Sequence, residues 1–99
     1  MKLYIDTSSR EKMVVGIDDE NFEVDPKEDS SQKLLPFIDK ILKERGKTIH
    51  DVTEIEVNIG PGSFTGLRVG VSVANALGWG LHLPVNGKLW TKPIEVVYK

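Results

Sequence analysis

Polar and apolar residues alternate along three short stretches of this chain, and a fourth, residues 12–17, is a run of β-formers. Leu3 and Ile5 are interleaved with Lys2, Tyr4 and Asp6, and Ile55, Val57 and Ile59 with Glu54, Glu56 and Asn58. Residues 12–17 and 21–24 are two further β-rich runs, carrying Met13, Val14, Val15, Ile17, Phe22 and Val24. A period of two puts successive side chains on opposite faces of an extended chain, so each stretch predicts a strand. Between the first three lie Thr7-Ser8-Ser9-Arg10 and Asp18-Asp19-Glu20-Asn21, residue types that favour turns for local backbone reasons. The acidic run therefore reads as a solvated hairpin turn rather than a cation site. Asn86-Gly87 is a hairpin-turn dipeptide, and Ile94 to Tyr98 suits a last strand that finishes or extends the sheet.

The period changes to that of a helix in two places. Residues 25–32 are polar and contain Pro26, which predicts a loop leading to a helix capped by Asp29, Ser30 or Ser31. That helix should run to Arg45 and stop at Gly46, with Pro36 in or just beyond its first turn. Its apolar residues Leu34, Leu35, Phe37, Ile38, Ile41 and Leu42 span an arc of about 160°, wider than one neighbour requires. Leu35 and Phe37 mark the two edges. The second helix follows Gly60-Pro61-Gly62-Ser63-Phe64-Thr65-Gly66 and should extend to about Leu81. It is apolar or small around most of its circumference, with a narrow polar stripe of Arg68, Ser72 and Asn75. Gly66, Gly70, Ala74 and Gly78 recur every fourth residue, a smooth track that admits another backbone closely. One sheet face cannot cover so wide an arc, which predicts burial against the sheet on one side and another chain on the other.

The glycine turn between strand and helix admits two chemistries. Its flexible backbone and first-turn amides suit a phosphate cradle, with Asp6, Thr7, Ser8, Gly62 and Ser63 as the candidate contacts. The alternative, favoured by the spacing, is a turn that lets the helix pack closely. Gly-x-Gly-x-x-x-Gly matches neither the dinucleotide nor the Walker pattern, and no lysine follows the last glycine. Asp6, hydrogen-bonded to its own turn, reads as structural.

Composition narrows the classes further. The 99 residues are 39% hydrophobic and 28% charged, the profile of one ordinary globular domain. No cysteine is present, so disulfides and cysteine metal sites are excluded. His50 and His82 stand too far apart in sequence to suggest a metal pair and are expected at the surface. No apolar run reaches the length of a membrane span and no signal segment opens the chain, which predicts a cytoplasmic protein. A net charge of −2 gives RNA phosphates little attraction.

The run from Asn58 to Gly70, with Leu34-Leu35-Pro36-Phe37-Ile38-Asp39 and Ile5-Asp6-Thr7-Ser8, resembles the amino-terminal half of the TsaB family, formerly YeaZ. The similarity covers roughly residues 2–87. It implies an α/β fold: a single ribonuclease H-like, or actin-like ATPase, half-domain over residues 1–99, with a mixed sheet of about five strands and two helices packed on one face. The family's second half-domain is absent from this sequence. The resemblance further implies a non-catalytic scaffold in making threonylcarbamoyladenosine on tRNA, with no catalytic residue and no metal to assign. Its partners would be a second copy or the catalytic subunit TsaD, together with the ATPase TsaE. ATP would be used by the wider complex and not bound by this chain alone, and tRNA would be touched only indirectly. Pairing of the amino-terminal helices would use Gly66, Gly70, Ala74 and Gly78 for close approach, and Leu67, Val71, Leu77, Phe37 and Ile41 for apolar area. The alternative is a nucleotide-binding half-domain of a homodimeric phosphotransferase or ATPase, using Asp6, Thr7, Ser8 and the residue 60–63 turn.

Overall fold

The computed structural model describes residues 1–9, 12–24, 30–62 and 64–96, and for residues 24, 30–32 and 64 the backbone alone. Its elements are β1 (Lys2–Asp6), β2 (Met13–Ile17), β3 (Glu20–Val24), α1 (Ser30–Glu44), β4 (Glu54–Val57) and α2 (Phe64–Leu81). The strands form one sheet in the order β3-β2-β1-β4. β1 pairs antiparallel with β2 and parallel with β4, and β2 pairs antiparallel with β3. Asp18 and Asp19 form the two-residue turn between β2 and β3, Asp18 with φ 52°, so the first half of the acidic run is the hairpin turn its residue types predict, while Glu20 and Asn21 already belong to β3. The parallel β1/β4 pair needs a crossover, which α1 supplies.

Period-two alternation sorts the sheet into two faces. Leu3, Ile5, Met13, Val15, Ile17, Ile55 and Val57 are buried and share one core with Leu34, Ile38, Ile41 and Leu42 of α1 and Leu67, Val71 and Ala74 of α2. Both helices thus serve the same sheet face, and the architecture is the expected α/β half-domain. On the opposite face Lys2 reaches Glu56 at 2.6 Å across the β1/β4 pair.

A fifth strand exists only as a trace. Val85 makes a single parallel bridge to Ile55, flanked by Ile55 N–H to the Pro84 carbonyl (3.0 Å) and Asn86 N–H to the Ile55 carbonyl (2.9 Å). The next rung comes from a side chain: the Asn86 amide accepts from Val57 N–H (2.8 Å) and donates to the Val57 carbonyl (3.0 Å). Pro84 lacks an N–H, and Asn86 (φ 51°) and Gly87 (φ 78°) at once turn the chain into a one-pair hairpin between Val85 and Lys88, so no ladder can grow. Residues 94–96, expected to be strand, instead lie outside the sheet with Ile94 and Val96 buried in the core; Tyr98 lies outside the described residues.

α1 stops as its sequence predicts. Gly46 takes φ 69°, its N–H bonds the Lys43 carbonyl, and Lys47 N–H bonds the Leu42 carbonyl, a glycine-terminated helix end. Its start differs from expectation. Ser30 and Ser31 are already helical and Asp29 lies outside the described residues, so Pro36 stands well inside the helix rather than near its first turn. Having no N–H, Pro36 cannot bond the carbonyl of residue 32, a cost tolerated where the proline faces solvent. Among the described residues, no helix is long and apolar enough to cross a membrane.

Candidate functional site

The adjacent parallel ends of β1 and β4 deliver the loop residues to one place. Asp6, at the end of β1, accepts through Oδ1 from Ser8 N–H (2.9 Å), Ser8 Oγ (2.6 Å) and Asn58 Nδ2 (3.2 Å). Tyr4 O–H donates to Oδ2 at 3.3 Å. Burial alone would raise the Asp6 pKa, but the hydroxyl and backbone bonds from Ser8, with those from Asn58 and Tyr4, outweigh it and hold the carboxyl below its ordinary value. The Tyr4 phenol is pushed up by burial and by the Asp6 charge. Asn58 turns its other amide atom to Gly60 N–H at 3.0 Å, and Gly60 (φ 138°) precedes a cis peptide to Pro61.

Gly62 closes the cluster from the other side. A methyl group on Gly62 would lie 2.5 Å from Ser8 Cβ and 2.8 Å from the Ser8 carbonyl oxygen, so only glycine permits the two loops to touch. Thr7, 3% exposed, works one layer deeper. Its hydroxyl donates to the Gly66 carbonyl and accepts from Gly70 N–H at 3.0 Å, the two groups that an α-helix pairs with each other.

Of the phosphate-contact candidates, then, Asp6, Thr7, Ser8 and Gly62 are gathered together, and Ser63 lies outside the described residues. Ser8 is bonded to Asp6, and the Thr7 hydroxyl to the α2 backbone. The Ser8 and Gly60 amides, which a cradle would aim at phosphate, are bonded to Asp6 and Asn58. An aspartate favoured in its charged form sits at the centre, where a phosphate would meet repulsion. The arrangement is that of a braced turn. Among the described residues, no group of three His, Cys, Asp or Glu is placed to hold a metal ion.

The helix-pairing residues need correction. Leu67, Gly70, Val71, Ala74, Gly78 and Ile41 are all buried within this one chain. A methyl group on Gly70 would lie 2.6 Å from Thr7 Oγ1 and 3.2 Å from Ile5 Cγ2; one on Gly78 would lie 2.6 Å from Val85 Cγ2. The small-residue track therefore receives β1, its loop and the Val85 segment, not a second molecule. Gly66, half-buried, gives its carbonyl to Thr7. Leu77 and Phe37 keep partial exposure. Part of the α2 arc expected against a partner is covered by residues 83–96, which fold back over it.

The apolar surface that stays open lies elsewhere. Leu35 of α1 is 45% exposed and Phe37 half-buried, the two edges of the α1 arc. On α2, Val69, Val73 and Leu77 are half-buried and Ala76 is exposed. At about 100° per residue these α2 positions form a band centred well away from Leu67, on the flank opposite Asn75. Of this band only Leu77 is among the residues expected at the pairing surface; the usable signal is the polar stripe, which marks the other flank. Asn75 belongs to that stripe, but its role was not foreseen: its amide holds the Ile94 backbone through Nδ2 to the carbonyl (2.8 Å) and Ile94 N–H to Oδ1 (2.9 Å).

Comparison with known proteins places this geometry. Residues 25–87 match the family described as TsaD: tRNA N6-adenosine threonylcarbamoyltransferase. The tRNA threonylcarbamoyladenosine biosynthesis protein TsaB of Escherichia coli is 36% identical over 89 residues, covering 86% of this chain and 38% of that protein. A tRNA N6-adenosine threonylcarbamoyltransferase of Nitrosospira multiformis is 44% identical over 59 residues, covering 60% of this chain and 17% of the relative. Among solved structures, YeaZ from Pseudomonas aeruginosa superimposes with a TM-score of 0.71 at 29% identity, over 85% of this chain and 41% of that one. The chain thus spans about two fifths of the length of TsaB-type relatives that it matches along most of its own.

Proposed function

Because this chain belongs to the TsaD family and within it resembles TsaB, we propose that it serves tRNA threonylcarbamoyladenosine biosynthesis as a non-catalytic scaffold that pairs through its two helices. The observation that carries the pairing is the half-buried α2 band of Val69, Val73 and Leu77, left after the sheet, the loop and residues 83–96 have filled the inner side of α2, with Leu35 exposed on α1. Helices that leave apolar residues partly open to solvent gain by burying them, at about 25 cal/mol per Å² removed from water. A second copy of the chain, or the TsaD subunit of the same organism, is the partner that this reading assigns, with TsaE joining the complex. ATP and tRNA are then handled by other subunits, in the cytoplasm. The braced Asp6 turn supports the non-catalytic part, since its amides and hydroxyls are spent on the fold.

Substituting Val73, half-buried at the edge of the core, by Asp puts a charge at the centre of the α2 band. Sedimentation velocity should show the wild-type chain as a dimer, or as a complex with added TsaD, and the variant as a monomer with unchanged circular dichroism. A variant that pairs as well as wild type, or a wild-type chain that stays alone at high concentration with and without TsaD, overturns the assignment.

A further inference from the structure

Residues 88–96 are attached to the domain differently from everything before them. The family match ends at residue 87, and the segment beyond it crosses α2 without joining the sheet. Asn75 takes both the N–H and the carbonyl of Ile94, at 2.9 and 2.8 Å, doing with one side chain what a neighbouring strand does with its backbone. On either side of Glu95, which faces solvent, Ile94 and Val96 are buried against the rim of the core. Nearer its start, the Trp90 ring stacks on His82 with centroids 4.9 Å apart and planes 14° from parallel. Between the segment and the helix remains a notch of about 300 Å³ lined by Arg68, Val71, Ser72, Asn75 and Ile94 to Val96.

We propose that residues 88–96 form a strap that opens as a unit while the rest of the domain stays folded, and that the closed strap reserves the Asn75 flank of α2, confining association to the flank of Val69 and Val73. Its attachments include the backbone pair of Lys88 with Val85, the Asn75 amide on Ile94, the buried Ile94 and Val96 side chains and the Trp90 ring stack, without a strand ladder to join them. None of the residues buried between the sheet and α1 moves when they part. Segments held by few buried contacts and irregular backbone bonding are those that open locally. The Asn86-Gly87 turn, both residues at positive φ, fixes where the opening stops, because Val85 and Asn86 remain bonded to β4. Once open, the strap exposes Val71 together with the unused Asn75 amide. These are an apolar contact and a backbone-binding group for an extended segment, and the only sequence shown to fit them is the strap itself. The occupant assigned in trans is therefore the strap of a second copy, exchanged between chains that make the same contacts.

Hydrogen exchange followed by mass spectrometry on the full chain, paired with light scattering, tests both parts. In the wild type, residues 88–96 should exchange on the order of ten-fold faster than β1 and β4. Asn75→Asp, which turns a carboxylate toward the Ile94 carbonyl, and His82→Ala, which removes the stack, should each speed exchange in 88–96 and leave β1 and β4 unchanged. An exchanged strap needs the same Asn75 amide and His82 ring on the second copy, so neither variant should associate through this flank more than the wild type. Strap protection equal to that of β1, or accelerated exchange across the whole domain in both variants, overturns the opening. Selective opening with increased association overturns the exchanged strap. The association part rests on the helix-pairing reading and the exchange part does not, so Val73→Asp distinguishes failure of that reading from failure of the strap.

Discussion

Thr7 and Asp6 stand one residue apart and brace the same loop by different physics. The Thr7 hydroxyl lies between the Gly66 carbonyl and the Gly70 amide, at a depth where water cannot replace it. Thr7→Val keeps the shape and removes the bonds, so a destabilisation of about 1–3 kcal/mol is expected in urea unfolding. Thr7→Ser retains the hydroxyl and should restore most of the loss. Asp6 acts through charge. Its folded carboxyl is held below the ordinary value, so the fold favours the ionised form. That contribution is present in full above the unfolded value near 3.9 and is lost as pH falls through the lower folded value. Unfolding measured from pH 6 to pH 2 should therefore steepen at the acid end in the wild type, and Asp6→Asn should flatten that part of the curve. An identical acid slope in the two proteins would remove the carboxylate from the account.

At the scale of the element, α2 holds glycines that differ in consequence. Gly80 is exposed, and a methyl group placed there meets no atom within 4 Å. Gly80→Ala should raise stability by roughly 0.5–1 kcal/mol through helix propensity. Gly78 faces the Val85 side chain and the Leu83 carbonyl, and Gly78→Ala should lower stability by about 1–3 kcal/mol through overpacking. Thermal melts of the two variants should move in opposite directions. The four-residue recurrence of small residues was readable as close packing, and close packing is what Gly70, Ala74 and Gly78 provide. The neighbour was not readable: periodicity reports that a face is smooth, not whose backbone comes to it. The same limit applies to α1, where Gly46 gave the end of the helix through its positive φ, while the position of Pro36 depended on a start that no apolar residue marks.

At the scale of the whole molecule, the Cα radius of gyration is 12.4 Å, close to the roughly 13 Å of a domain this long. Residues matching two fifths of a TsaB-type relative thus close on themselves, with two helices covering one face of the sheet. Strand order, helix count and sidedness followed from alternation, from helical period and from the family resemblance. The closing segment did not, because its hold depends on two asparagines: Asn75 on a helix and Asn86 in a turn take the place of backbone rungs, and no pattern of apolar residues announces that substitution.

The Asn86 amide has a further effect. A sheet margin normally shows a row of vacant donors and acceptors, which invites foreign strands and leads to aggregation. Beside β4 the Ile55 and Val57 groups facing outward are already occupied by Pro84, Asn86 and the Asn86 side chain. Strand-on-strand growth has no foothold along that border, and any lasting encounter with another protein there must proceed by some other kind of contact.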